Sequence, residues 1–116
     1  MHEGIPDFAM PDDEQVQAAA DALRMLADPT RLKLMWALLQ GEEENVACLA
    51  DLSGARPTAV SQHLAKLRLA GLVTTRREGT FVYYSAADHH LRPLIQQALA
   101  HGAHTLDHRT ATDTSA

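Results

Sequence analysis

Proline and glycine cut this chain into short segments of defined length, and that punctuation limits the possible folds more than any other feature. Asp28-Pro29-Thr30 stops an amphipathic stretch that begins at Asp13, because the residue before a proline avoids the helical region. Within Asp13–Ala27 the apolar positions Val16, Ala19, Ala20, Leu23 and Leu26 recur at spacings of three and four, which marks one helical face. Pro29 or Thr30 then opens a second helix over RLKLMWALLQ, which Gly41 closes. Its Leu32, Met35, Trp36 and Leu39 stripe is expected to be core rather than a ligand site, since burial requires that spacing. Glu42–Asn45 reads as a polar loop and Val46–Ser53 as a short helix ended by Gly54. Pro57 suits the first turn of a further helix, in which Val60, Leu64 and Leu67 share a face and Gly71 is the stop. VTTRREGTFVYYSA reads as two β segments around Arg77-Glu78-Gly79-Thr80, with Gly79 supplying the positive φ of a tight hairpin. A last helix, capped by Ser85 or Asp88, is expected to run to about Leu106.

Helix, helix, short helix, turn, helix, hairpin is the order of a winged helix-turn-helix, so the expected fold is mainly α with a small β-hairpin. At 116 residues the chain is one domain with material for a modest core. Residues 1–12, rich in acids with Gly4, Pro6 and Pro11, are expected to be a flexible arm, 13–108 the folded domain, and 109–116 a disordered tail. No apolar run is long enough to span a bilayer, and the acidic start lacks the regions of a signal peptide. The expected location is therefore cytoplasmic, with no membrane partner. Cys48 is the only cysteine, which excludes an internal disulfide and a thiolate cluster within one chain; on an apolar helix face it is expected to be core.

The formal net charge of −5 argues against nucleic acid, but the distribution of that charge points the other way. Residues 1–14 carry five acids and no Lys or Arg, whereas residues 53–82 carry Arg56, Lys66, Arg68, Arg76 and Arg77 against Glu78 alone. Arg56, Thr58, Ser61, Gln62 and Lys66 lie off the apolar stripe of their helix and can face DNA. Ser and Gln can bond base edges there, and Arg and Lys can neutralise phosphates. Arg76 and Arg77, near the hairpin tip, would reach adjacent backbone or the minor groove. Each residue taken alone is as well read as part of a solvated face; the combination of fold pattern, polar face and basic wing favours double-stranded DNA.

Histidines pose a separate geometric problem. His101 and His104 stand three apart, share a helical face and can grip one ion together. His90, two residues after Asp88, precedes His101 by eleven residues, roughly 16 Å along a helix at 1.5 Å per residue. Metal–ligand bonds are only about 2 Å, so one helix cannot close one site with both pairs. An antiparallel second copy can, by setting its His101/His104 end beside this chain's Asp88/His90 end. The spacing thus predicts a homodimer with metal at its interface, against the plainer reading of solvated histidines. His89 is out of phase with these pairs. Pro93 removes a hydrogen bond inside a helix, and is tolerable if the helix starts near Asp88–His90.

LADPTRLKLMWALLQGE followed by AVSQHLAKLRLAGLVTTRREGTFVYYS resembles the ArsR/SmtB family of bacterial metal-sensing repressors, over roughly residues 16–108. The resemblance implies a homodimeric repressor that leaves its operator when metal binds. It also implies that His63, in the V-S-x-H-L pattern, is a structural residue relaying contacts between recognition helix and metal helix. Many sensors of soft metals in this family use several cysteines near the short helix, where this chain has NVACLADLSG with Cys48 alone. Zinc, cobalt and nickel sensors of the family carry D-x-H, ten residues, H-x-x-[HE] along the last helix, and Asp88, His90, His101 and His104 match it. One carboxylate and three imidazoles suit Ni(II) or Zn(II). His2 resembles the N-terminal ligands of some nickel sensors, and His2 or His108 would raise the coordination number. The expected function is a metal-responsive repressor binding a twofold operator; the alternative is a regulator of the same fold that answers to a partner or to redox change. An enzyme is not expected, because H-E-x-x-H, G-x-S-x-G and phosphate-loop patterns are all missing.

Overall fold

The computed structural model describes residues 8–114, with side chains through Arg109. The elements follow as α1 (Asp13–Leu26), α2 (Pro29–Gln40), α3 (Val46–Ser53), α4 (Pro57–Leu69), β1 (Val73–Glu78), β2 (Phe81–Ala86) and α5 (Leu91–Thr114). Side-chain caps start the first three helices: Asp12 accepts from the Gln15 N–H at 2.8 Å, Asp28 from Arg31 at 3.0 Å and Asn45 from Cys48 at 2.9 Å. Gly54 ends α3 in the left-handed region at φ 76°, where a β-carbon would be strained. α5 begins at Leu91, which puts Pro93 in its first turn, where a missing N–H costs nothing. It continues to Thr114, past the end expected near Leu106, so residues 109–114 are helical rather than tail.

The core is built around α2. Leu34, Met35, Leu38 and Leu39 are buried against Leu49 of α3, Val60, Leu64 and Leu67 of α4, Val73 of β1 and Ile95 of α5. The expected α2 stripe is shifted: Met35 and Leu39 are buried, but Leu32 and Trp36 are only half-buried beside the core, with Leu34 and Leu38 inside. α2 is contacted on several sides by α1, α3, α4, β2 and α5, so one narrow stripe underestimates its buried surface. α1 departs further. Leu26 alone of its apolar stripe is buried, and Val16 and Leu23 remain 48% and 52% exposed.

β1 and β2 pair antiparallel from Val73↔Ala86 to Glu78↔Phe81, leaving a two-residue turn at Gly79-Thr80. The hairpin gains a third line of bonds from the loop before α3. The Glu44 N–H donates to the Tyr84 carbonyl at 3.0 Å, and the Tyr84 N–H donates to the Glu44 carbonyl at 2.8 Å.

His63 of α4 turns toward the start of α2. Arg31 Nε donates to its Nδ1 at 3.1 Å, and its Nε2 lies 3.9 Å from Asp28 Oδ2. Arg31 also donates to the Met25 carbonyl at 3.1 Å. The relay expected to reach the last helix therefore joins the recognition helix to the α1–α2 corner. The Arg31 N–H holds the Asp28 carboxyl below its ordinary range, aided by the charges of His63 and Arg31 and opposed by partial desolvation.

Leu64→Ala is expected to cost about 2–5 kcal/mol of unfolding free energy, because it opens a cavity among α2, α3 and α4. Leu69→Ala, at a position 90% exposed, should shift it by less than about 0.5 kcal/mol; urea titrations compare the two. A carboxyl whose pKa is depressed by folding contributes stability that is fully present above its unfolded pKa of 3.8 and lost as pH falls through the lower folded value. Asp28→Asn should thus be less stable than wild type near neutral pH, with the gap narrowing in acid. Thermal melts across that range check it, and a constant gap would contradict the assignment.

Candidate nucleic-acid interface and metal centre

α4 separates two faces cleanly. At 100° per residue, Thr58, Ser61, Gln62 and Lys66 fall within one arc, and all four are exposed. Val60, Leu64 and Leu67 fall on the opposite side and are buried. Arg56 occupies the N-cap position, exposed and without a side-chain capping bond, and Pro57 follows at the first helical position. The first turn of α4 therefore presents backbone N–H groups beside a cation, an arrangement suited to phosphate.

The two wing arginines are placed differently. They are successive residues of β1, so their side chains leave opposite faces of the ribbon. Arg77 pairs across from Val82 and is exposed. Arg76 is held by carboxylates: its Nε donates to Glu43 Oε1 and Oε2 at 3.0 and 2.8 Å, and its Nη1 donates to Glu78 Oε2 at 3.0 Å. Its guanidinium carbon also lies 4.8 Å from the centre of the Tyr83 ring. The Glu43 and Glu78 hydrogen bonds hold Arg76 still further above its already high pKa. Sequence reasoning missed Glu43, which pairs with a residue 33 positions away and carries no local signal.

Asp88 and His90 lie in the turn just before α5. Asp88 Oδ1 accepts from the His90 backbone N–H at 2.8 Å and sits 3.0 Å from its Nδ1. The backbone bond first, then the imidazole, keep the Asp88 carboxyl below its usual range, so it is anionic at neutral pH. The His90 side chain is 93% exposed. His101 and His104 are exposed on α5, and His108 stands one turn beyond His104. Among the described residues no three His, Cys, Asp or Glu side chains of one chain converge to hold an ion. His89 is exposed, and His2 lies outside the described residues. Cys48 is at the surface rather than in the core, and partial desolvation, then Glu44, push its thiol pKa up, which disfavours the thiolate.

No helix among the described residues is long and apolar enough to cross a membrane. Residues 28–75 match the bacterial regulatory protein, arsR family. The chain is 44% identical over 92 residues to the HTH-type transcriptional regulator KmtR of Mycobacterium tuberculosis, covering 79% of this chain and 70% of KmtR. It is 38% identical over 103 residues to the HTH-type transcriptional regulator NmtR of the same organism, covering 88% and 85%. Among solved structures, it superposes with a TM-score of 0.68 and 30% identity on the homodimeric winged helix-turn-helix DNA-binding domain Mb0332 of Mycobacterium bovis, covering 87% of this chain and 95% of that one. With its exposed polar recognition helix and two-stranded wing, the chain belongs to the ArsR family of bacterial regulatory proteins and is a winged helix-turn-helix transcriptional regulator.

Proposed function

We propose that the protein is a homodimeric repressor in the cytoplasm that binds a twofold operator and releases it on binding Ni(II) or Zn(II) between its subunits. One observation carries this reading. Asp88 and His90 end the turn before α5, while His101 and His104 stand on α5 about three turns further, roughly 16 Å at 1.5 Å per residue. Each pair is half a ligand set, and two antiparallel copies of α5 complete it twice. The donor chemistry fits, since a carboxylate and three imidazoles form a borderline N/O set. Asp88 Oδ1 and His90 Nδ1 stand 3.0 Å apart, a separation that two donors each about 2 Å from one ion can span. A bound cation would supply a tie between the last helices of the two subunits.

Dimerisation is supported by apolar surface that one chain leaves uncovered. Val16 and Leu23 of α1 and Leu94, Leu99 and Leu106 of α5 are all exposed. A twofold partner would cover them, and would set two recognition helices at one fixed separation. Arg56, Thr58, Ser61, Gln62 and Lys66 would then meet the major groove, with Arg77 at the flanking backbone. Metal held across α5 favours one relative orientation of the subunits, and a preference different from that of DNA weakens operator binding by linkage. His2 and His108 are candidate further donors. Six-coordination would favour nickel, and four would favour zinc.

Operator binding by wild type should weaken about 5- to 150-fold with stoichiometric Ni(II) or Zn(II). The double variant His101→Ala/His104→Ala should bind the operator as tightly as wild type and ignore metal. Metal release that survives in that variant means the site is elsewhere, and a wild type indifferent to both ions favours the partner- or redox-responsive alternative. Gel-shift titrations should also show log affinity falling linearly with log salt, with a slope of about −0.9 per phosphate contact. A flat response would remove the DNA-binding face from α4 and the wing.

A further inference from the structure

The wing is joined to the helix-turn-helix by contacts that the DNA-reading role does not need. Glu43 and Glu44 lie in the loop that delivers Asn45, the cap of α3. Glu44 pairs by two backbone bonds with Tyr84 of β2, and Glu43 grips Arg76 of β1 through both carboxylate oxygens. Each strand of the hairpin is thus fastened to the same loop, one by main chain and one by side chain. The Tyr83 ring, directly across the ladder from Arg76, closes the third side of the guanidinium.

Charge argues against Arg76 as a phosphate contact. Its one positive charge faces two carboxylates, Glu43 and Glu78, so the cluster is net negative and repels a DNA backbone. Arg77, projecting from the other face, carries no such burden of acids within the wing. A lone surface ion pair contributes little. This one differs, because it spans 33 residues of sequence, shares the Nε–H between both Glu43 oxygens and combines with a ring contact and a backbone bridge.

We propose that the Glu43–Arg76 pair is a strut that sets the angle of the wing relative to the recognition helix, making Arg76 a positioning residue and leaving Arg77 as the wing's DNA contact. The proposal rests on operator binding by α4 and the wing, and is independent of the metal site. Glu43 then serves DNA binding although it is an acid, because it places a cation elsewhere.

The test compares operator affinity and its salt dependence for Glu43→Gln, Arg76→Gln, Arg77→Ala and the double variant Glu43→Gln/Arg77→Ala. The strut predicts that Glu43→Gln and Arg76→Gln each weaken binding about three- to tenfold with an unchanged salt slope. Arg77→Ala should reduce that slope by about one. Once Arg77 is gone, Glu43→Gln should cost almost nothing more, an effect that a general loss of stability would not give. Tighter binding by Glu43→Gln, or a slope reduced by Arg76→Gln, would show that Arg76 contacts phosphate and that Glu43 restrains it; either overturns the strut. A measurement without DNA separates this from failure of the operator reading. Glu43→Gln should speed hydrogen exchange of the Glu44 and Tyr84 amides, and unchanged exchange also overturns the strut, whatever the DNA results.

Discussion

Burial of α2 is the interaction on which the rest of the molecule depends. Leu34, Met35, Leu38 and Leu39 are withdrawn from solvent, and α1, α3, α4, β2 and α5 all touch this one helix. A helix held from several sides has no free direction in which to move, since interiors are packed at crystal density. Recognition helix, wing and last helix are therefore positioned relative to a common reference. The tie to α5 continues at the helix end. Arg92 lies 6.0 Å from the centre of the Trp36 ring and donates from Nη2 to Gln40 Oε1 at 3.2 Å.

Much of this arrangement is legible in the sequence because it is written in local chemistry. Pro29, Pro57, Gly54 and Gly71 bound helices through constraints on φ and on backbone donors, which need no tertiary information. Gly79 sets the hairpin turn in the same way, at φ 60°. What a periodic stripe cannot tell is what covers it. The stripes of α1 and α2 look alike in sequence, yet Leu23 is half in solvent while Leu39 is buried. Packing inside one chain accounts for α2 and leaves the face of α1 open. The end of α5 escapes local reading for a related reason, since Thr, Ala and Asp beyond His108 carry neither a stop signal nor an apolar face.

The outward face of α4 and the wing show how charge must be read by position. A net charge of −5 includes an acidic start that is remote from the recognition helix in sequence. The outward face of α4 carries Lys66 and polar side chains with no acid among them. In the wing, by contrast, two adjacent arginines that look equivalent in sequence have different environments, because strand alternation sends one toward Glu43. Nothing local distinguishes Arg76 from Arg77; the difference is created by a loop folded in from 33 residues earlier.

The placement of α5 bears on how a signal at its far end could reach DNA. Ile95 is its one fully buried side chain among the described residues, and it lies in the second turn, close to the Arg92–Trp36 contact. The rest of the helix runs on for nearly twenty residues, about 28 Å at 1.5 Å per residue, with its side chains exposed through Arg109. Such a helix is a long arm on a short fulcrum. Asp88 and His90 sit at the fulcrum, while His101 and His104 sit along the arm. A twofold site of the proposed kind would join the arm of each subunit to the fulcrum of the other. A change in arm direction would then reach α2 at Ile95 and Trp36, and α2 carries α4 on another face. In such a dimer a modest rotation at that contact would suffice, because two recognition helices that must both fit one operator tolerate little change in their separation.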